Sequence, residues 1–137
     1  TPVRGIGPMA RKVRQAAGNG YLLVGDAAGF FDPLTGEGIH RALRGGELAA
    51  TAVMTALGRP DRYPSGYQAA RAELFRDKER VCQIIQSLLL SRHAMSYAAR
   101  RAARRGAVNR ELCEVLGDYG PAARALRPAF LWQLFKP

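Results

Sequence analysis

Asp26 is the side chain best placed to do chemistry in this sequence. It lies in Val24-Gly25-Asp26-Ala27-Ala28-Gly29-Phe30, at the end of the apolar run Tyr21-Leu22-Leu23-Val24. An ionised aspartate only accepts hydrogen bonds, so it suits ligand hydroxyls better than phosphate. A side chain at the carboxyl end of a buried strand points into the crevice where open α/β sheets bind ligands. Taken alone, Asp26 reads first as a turn residue bonded to its own loop, a common use of Asp. The following stretch, Pro33-Leu34-Thr35-Gly36-Glu37-Gly38-Ile39, shifts the balance. Pro33 fixes φ, and Gly36 and Gly38 carry no Cβ, so a ligand could lie against the backbone there. Thr35 reads as the N-cap of a helix. The first turn of a helix leaves about four unpaired N–H donors and roughly half a positive charge. A carboxylate acceptor and a row of amides thus face one small volume, which suits a polyhydroxylated, electron-rich ligand. Glu37 favours any helix start and reads as structural first.

The elements that must hold these groups follow from the pattern around them. Gly18-Asn19-Gly20 is a turn signal, and Tyr21 to Val24 reads as a buried strand. A helical pattern begins at Gly36 and puts Ile39, Leu43, Gly46, Ala50, Val53 and Leu57 on one face. Gly45-Gly46 inside it costs roughly 1 kcal/mol per residue relative to Ala, which points to tight packing of helix on sheet. Gly58 to Gly66 is linker-like. Helical stripes then cover 64–90, 91–105, 107–116 and 121–134, and Pro128 should interrupt the last. Residues 3 to 16 offer one or two further strands. A lone strand cannot satisfy its own edges, so the sheet needs other partners.

The two stretches, continued by Ala42 and Ala49-Ala50, resemble the second FAD-binding signature of flavoprotein monooxygenases and geranylgeranyl reductase-type flavoproteins. The Pro-x-Thr-Gly-Glu-Gly-Ile form is closer to the reductase branch. The resemblance implies that Asp26 bonds a ribityl hydroxyl of FAD. It implies that Gly36 to Ile39 direct backbone N–H groups at the N1/C2=O edge of the isoalloxazine, with Pro33 and Leu34 beside the ring. The implied cofactor-binding set is Gly25, Asp26, Pro33, Gly36, Glu37, Gly38 and Ile39. No catalytic acid or base and no metal ligand is identified.

In such proteins a Gly-x-Gly-x-x-Gly loop in an N-terminal βαβ unit holds the FAD pyrophosphate. Gly5-Ile6-Gly7-Pro8-Met9-Ala10 fits only the letters of that motif. Too few residues precede Gly5 to form the required strand, and Pro8 removes a donor inside the loop. The chain therefore reads as the C-terminal fragment of an α/β, Rossmann-like FAD-binding fold with few strands, residues 1–58. A mainly helical tail or cap follows, residues 59–137. The missing N-terminal FAD-binding half is its expected partner. The expected activity is that of an FAD-dependent oxidoreductase, by hydride transfer or oxygenation, with NAD(P)H as a candidate electron donor. The expected substrate is small and apolar, of prenyl or aromatic/polyketide type. The isolated fragment is expected to be inactive. The alternative is a non-catalytic fragment, or a basic helical module that binds anionic membrane or nucleic acid.

Charge bears on that alternative. The chain is 137 residues long with a formal net charge of +10. Residues 1–70 hold 8 basic and 5 acidic side chains, and residues 71–137 hold 13 and 6. Arg80 to Arg110 contains seven arginines and no acid. A solvated helix face is the plainest reading. Contact with an anionic membrane comes next, since each basic residue adds about 1 kcal/mol at such a surface. Nucleic acid is disfavoured, because no binding module accompanies the charge.

Leu88-Leu89-Leu90 with Met95 and Tyr97, and Phe130-Leu131-Trp132 with Leu134-Phe135, read as core before channel lining. Cys82 and Cys113 have no metal-like spacing and read as reduced thiols. His40, beside the helix-start glycines, is the His nearest the implied flavin. No apolar run reaches the length of a membrane span and no secretory signal is visible. The expected location is the cytoplasm, with peripheral membrane association.

Overall fold

A computed structural model describes residues 10–30, 36–57 and 66–136. The chain divides into two compact units, Thr1–Leu74 and Phe75–Pro137. The expected boundary near residue 58 falls outside the described residues. The first unit reaches past it to include the opening turns of a helix.

The first unit begins with a hairpin. Strands β1 (Ala17–Gly18) and β2 (Tyr21–Leu22) pair antiparallel, with Ala17 opposite Leu22 and Gly18 opposite Tyr21. The two-residue link Asn19-Gly20 turns the chain, and Gly20 takes the left-handed position at φ 79°. Beyond the ladder, Leu23 N–H donates to Ala16 O at 2.8 Å, and Arg11 and Phe30 exchange backbone bonds at 2.7 and 3.0 Å. The expected strand over Tyr21–Val24 is thus a two-residue ladder prolonged by extended backbone at Val24 (φ −128°, ψ 156°).

Helix α1 spans Gly38–Ala56. It packs on the core through Leu48, Ala49 and Ala52, which meet Ala16, Ala17, Ala28 and Tyr67. Tyr67 opens helix α2 (Gly66–Leu89). Its buried hydroxyl donates to Leu23 O at 2.6 Å, and Gln68 accepts from Ala16 N–H at 3.2 Å. Two side chains from the first turn of α2 therefore hold both sides of the hairpin. Burial pushes the Tyr67 hydroxyl above the ordinary tyrosine value, with the Arg71 guanidinium acting in the opposite direction.

The second unit is helical. It takes α2 from Phe75 onward, then α3 (Arg92–Arg104), α4 (Gly106–Leu116) and α5 (Pro128–Phe135). Ser91 caps α3 by accepting from Ala94 N–H at 3.3 Å. Pro128 acts as expected. A short 3-10 turn over Ala122–Leu126 ends ahead of it, and Pro128 takes the first position of α5, where its missing N–H costs nothing. Val81, Ala102, Val108, Val115, Ala125, Phe130 and Leu134 form the core.

One buried cation fastens this unit. Lys78 Nζ donates to Val115 O and, at 3.5 Å, to Leu116 O, the last carbonyls of α4. It also pairs with Asp118 at 2.5 Å. Asp118 itself sits in the left-handed region at φ 59°. A positive charge on helix-end carbonyls is favourable, and removing one member of a buried pair costs about 3–5 kcal/mol.

Two outcomes are expected. Lys78→Ala should lower the unfolding free energy by about 3 kcal/mol, read from urea titrations followed by circular dichroism. The raised Tyr67 hydroxyl means that the unfolded chain gives up this proton first. Its contribution is therefore complete below about pH 10 and is lost as pH rises through the folded-state value. Tyr67→Phe should remove that part of the alkaline decline, while costing about 1 kcal/mol at neutral pH. An unaltered alkaline profile in this variant would refute the assignment.

Candidate functional site

Asp26 lies in a single 3-10 turn, Gly25–Ala28, that follows directly from the extended Val24. The turn closes with Gly29 N–H donating to Asp26 O at 3.1 Å. The Asp26 side chain is exposed, and among the described residues nothing is bonded to its carboxylate. Among the described residues it caps no turn.

Gly25 makes the approach of α1 possible. It has φ 58°, and a Cβ there would stand 3.3 Å from Ala42 Cβ. From the helix side, a Cβ at Gly45 would stand 3.5 Å from Val24 Cγ1 and 3.9 Å from Gly25 N. Gly45 is buried, as expected of a tight packing residue. Gly46 faces open space.

This contact sets the tip of α1 beside Asp26. The position a Cβ would take at Gly38 is 3.9 Å from Asp26 Oδ1. No side chain caps α1. Gly36 is exposed with open space around it. The structure thus brings Gly25, Asp26 and Gly38 to one place, an acceptor carboxylate beside a helix start where Gly38 carries no side chain, with the exposed Gly36 two residues ahead of it. That combination fits a ligand carrying hydroxyls and an electron-rich edge. Pro33, Leu34 and Thr35 lie outside the described residues, as does the Gly5-to-Met9 stretch.

Glu37 and Ile39 occupy different surroundings. Glu37 is buried at the N-cap position of α1. Arg41, one turn on, is buried as well, and both residues are engaged. Ile39 points outward and is 77% exposed, so only its backbone N–H belongs to the tip. His40 is half-buried and engaged. Among the described residues, no group of three or more His, Cys, Asp and Glu could hold a metal.

Sequence reasoning missed Arg41 and Tyr67. Arg41 carried no usable signal, since an arginine on a helix usually faces water. Tyr67 carried none, since its partner Leu23 lies 44 residues away.

Comparison with known proteins adds an independent line. Part of the chain is similar to reductases. It is 41% identical over 71 residues to menaquinone reductase of Mycobacterium tuberculosis, covering 47% of this chain and 17% of that protein. It is 44% identical over 69 residues to digeranylgeranylglycerophospholipid reductase 2 of Methanothermobacter thermautotrophicus, covering 47% and 17%. A segment of 49 residues is 47% identical to conditioned medium factor receptor 1 of Dictyostelium discoideum, covering 36% and 10%. The matched segments span about a tenth to a fifth of these relatives. No family model matches, and no solved structure matches.

The glycines give a paired test. Gly25→Ala should destabilise the chain by about 1–3 kcal/mol, because a side chain is strained in that conformation and meets Ala42. Gly46→Ala, in open space inside a helix, should stabilise it by about 0.5–1 kcal/mol. Thermal unfolding of the two variants reads both signs.

Proposed function

We propose that this chain supplies one half of an FAD site in a flavin-dependent reductase of the geranylgeranyl reductase type. The observation that carries the proposal is the Asp26 carboxylate, unengaged among the described residues, beside the tip of α1, which no side chain caps. Asp26 would accept a hydrogen bond from a ribityl hydroxyl. The backbone N–H groups from Gly38 onward would face the N1/C2=O edge of the ring, where fixed dipoles favour added negative charge. When bound, FAD supplies hydride transfer. The protein's share is to orient the cofactor and stabilise its charge.

The relatives' names support reduction over oxygenation, and a prenylated quinone or prenyl lipid as substrate. NAD(P)H remains the candidate donor. Two observations support a partner half that holds the pyrophosphate. The sequence has no glycine-rich loop behind a strand, and among the described residues α1 leaves an apolar face uncovered. Ile39, Leu43, Val53, Met54 and Leu57 are all exposed, Leu43 to 66%. Ile39 and Leu43 lie four residues apart, as do Val53 and Leu57, with Met54 three before Leu57, so all five share one face of the helix. We assign the cover of that face to the partner half.

Flavin content tests the reading. In the full-length protein, Asp26→Ala should weaken FAD retention about 10- to 100-fold, the loss expected for a charge-assisted hydrogen bond. Asp26→Asn should retain an intermediate amount. The isolated chain should hold FAD weakly, without a retained shift of its visible spectrum. Unchanged flavin stoichiometry in Asp26→Ala would overturn the assignment.

A further inference from the structure

The second unit joins a cationic stripe to an aromatic helix end. On α3, Tyr97 and Arg101 lie one turn apart, and Arg105 follows a turn later at the helix end. All three reach the C-terminal end of α5. The Tyr97 hydroxyl donates to Phe135 O at 3.1 Å, Arg105 to Gln133 O at 2.7 Å, and Arg101 to Lys136 O. At 3.6 residues per turn, Arg100 and Arg104 share with them one sector of about 140°. Both are exposed. Ala98 and Ala102, in the adjoining sector, are buried.

The end of α5 that these groups grip is apolar on its outer side. Trp132 is 65% exposed and Phe135 is also exposed, while Phe130 and Leu134 enter the core. Lys136 Nζ lies 5.9 Å above the Trp132 ring. The indole, its cation and the arginine stripe therefore occupy one patch. The same unit exposes Leu89 and Leu90 at the end of α2, Leu90 to 91%, with Arg92 two residues further on.

Indole and aliphatic side chains left in water beside arginines are the composition of an interfacial membrane contact. Trp settles at headgroup depth, and cations gather at anionic lipid. Nucleic acid would also accept Arg and Trp, but gives no use for exposed leucines. Among the described residues no helix is long and apolar enough to cross a membrane, so contact would be from one side. We infer that the α3–α5 end of the second unit docks on an anionic phospholipid bilayer. Trp132 and Phe135 enter the interface, and Arg100, Arg104 and Lys136 lie on lipid phosphates. This goes beyond the flavin assignment and needs no cofactor.

Trp132 is the sole tryptophan, so its emission reports the contact directly. Purified chain is mixed with phosphatidylcholine vesicles, with and without phosphatidylglycerol. The expected result is a blue shift, and quenching by brominated acyl chains, with the anionic vesicles only. Raised salt should reverse it. The double variant Arg100→Ser/Arg104→Ser should bind about 30-fold more weakly, as expected for two basic residues at such a surface. Trp132→Ser should reduce vesicle co-sedimentation. If that variant does not fold, the exposed arginine pair decides, with its helical circular dichroism as control. Unchanged emission at saturating anionic vesicles, or wild-type affinity in the arginine variant, would overturn the inference. Binding of duplex DNA without vesicle binding would also do so, and would reassign the patch to nucleic acid.

Discussion

Helix α1 and the turn after Val24 meet where neither has a side chain to spare. Gly45 faces Val24 and the Gly25 amide at ordinary contact distance, and Gly25 lets the turn lie against Ala42. A Cβ at Gly25 would adopt a strained backbone and press on Ala42, and one at Gly45 would take up the remaining space. The position of Asp26 relative to Gly38 follows from this interlock. The intrinsic cost of a helical glycine, about 1 kcal/mol, is offset by the packing of Leu48, Ala49 and Ala52 that the close approach allows. The cradle is therefore a product of backbone proximity more than of side-chain chemistry. Only one carboxylate in it offers a specific handle.

Much of this was legible in the residues. Gly-Asp-Ala-Ala-Gly followed by Gly-Glu-Gly-Ile marked the turn and the helix start, and the reading of Gly45 as a packing residue agrees with its burial. The helical stripes matched α2, α3 and α4 to within two residues at each end, because their periodicity is strong. Pro128 marked its own break. The orientation of α1 was not legible. Ile39, Leu43, Val53 and Leu57 form the obvious apolar face, yet the described residues leave them exposed, and the opposite face packs through small residues and carries the buried Arg41. Periodicity reports that a face is apolar and does not report which neighbour covers it. The Lys78–Asp118 pair was equally silent, since 40 residues separate its members and a lone Lys on a helix usually faces water.

The two units solve different physical problems. The first concentrates glycine and alanine and brings backbone close to backbone. The second buries an ordinary aliphatic core and gathers four arginines, with no acid, on α3. There, arginine has two duties. Arg101 and Arg105 satisfy carbonyls at the end of α5 that have no partner within the helix, and their neighbours Arg100 and Arg104 face outward. The fork of the guanidinium suits the first duty and its permanent charge suits the second.

The hold of Tyr67 and Gln68 on Leu23 and Ala16 also imposes an order in time. The hairpin is local and can form within microseconds of leaving the ribosome. Its fastening cannot, because the two anchors lie 44 and 52 residues downstream. Between them α1 must emerge and wait, with its core-facing alanines and Leu48 lacking their aromatic mate. Translation therefore passes through an interval in which the carboxylate-bearing turn exists but is not yet braced. The first residues of α2 end that interval, which makes them a maturation step for everything upstream.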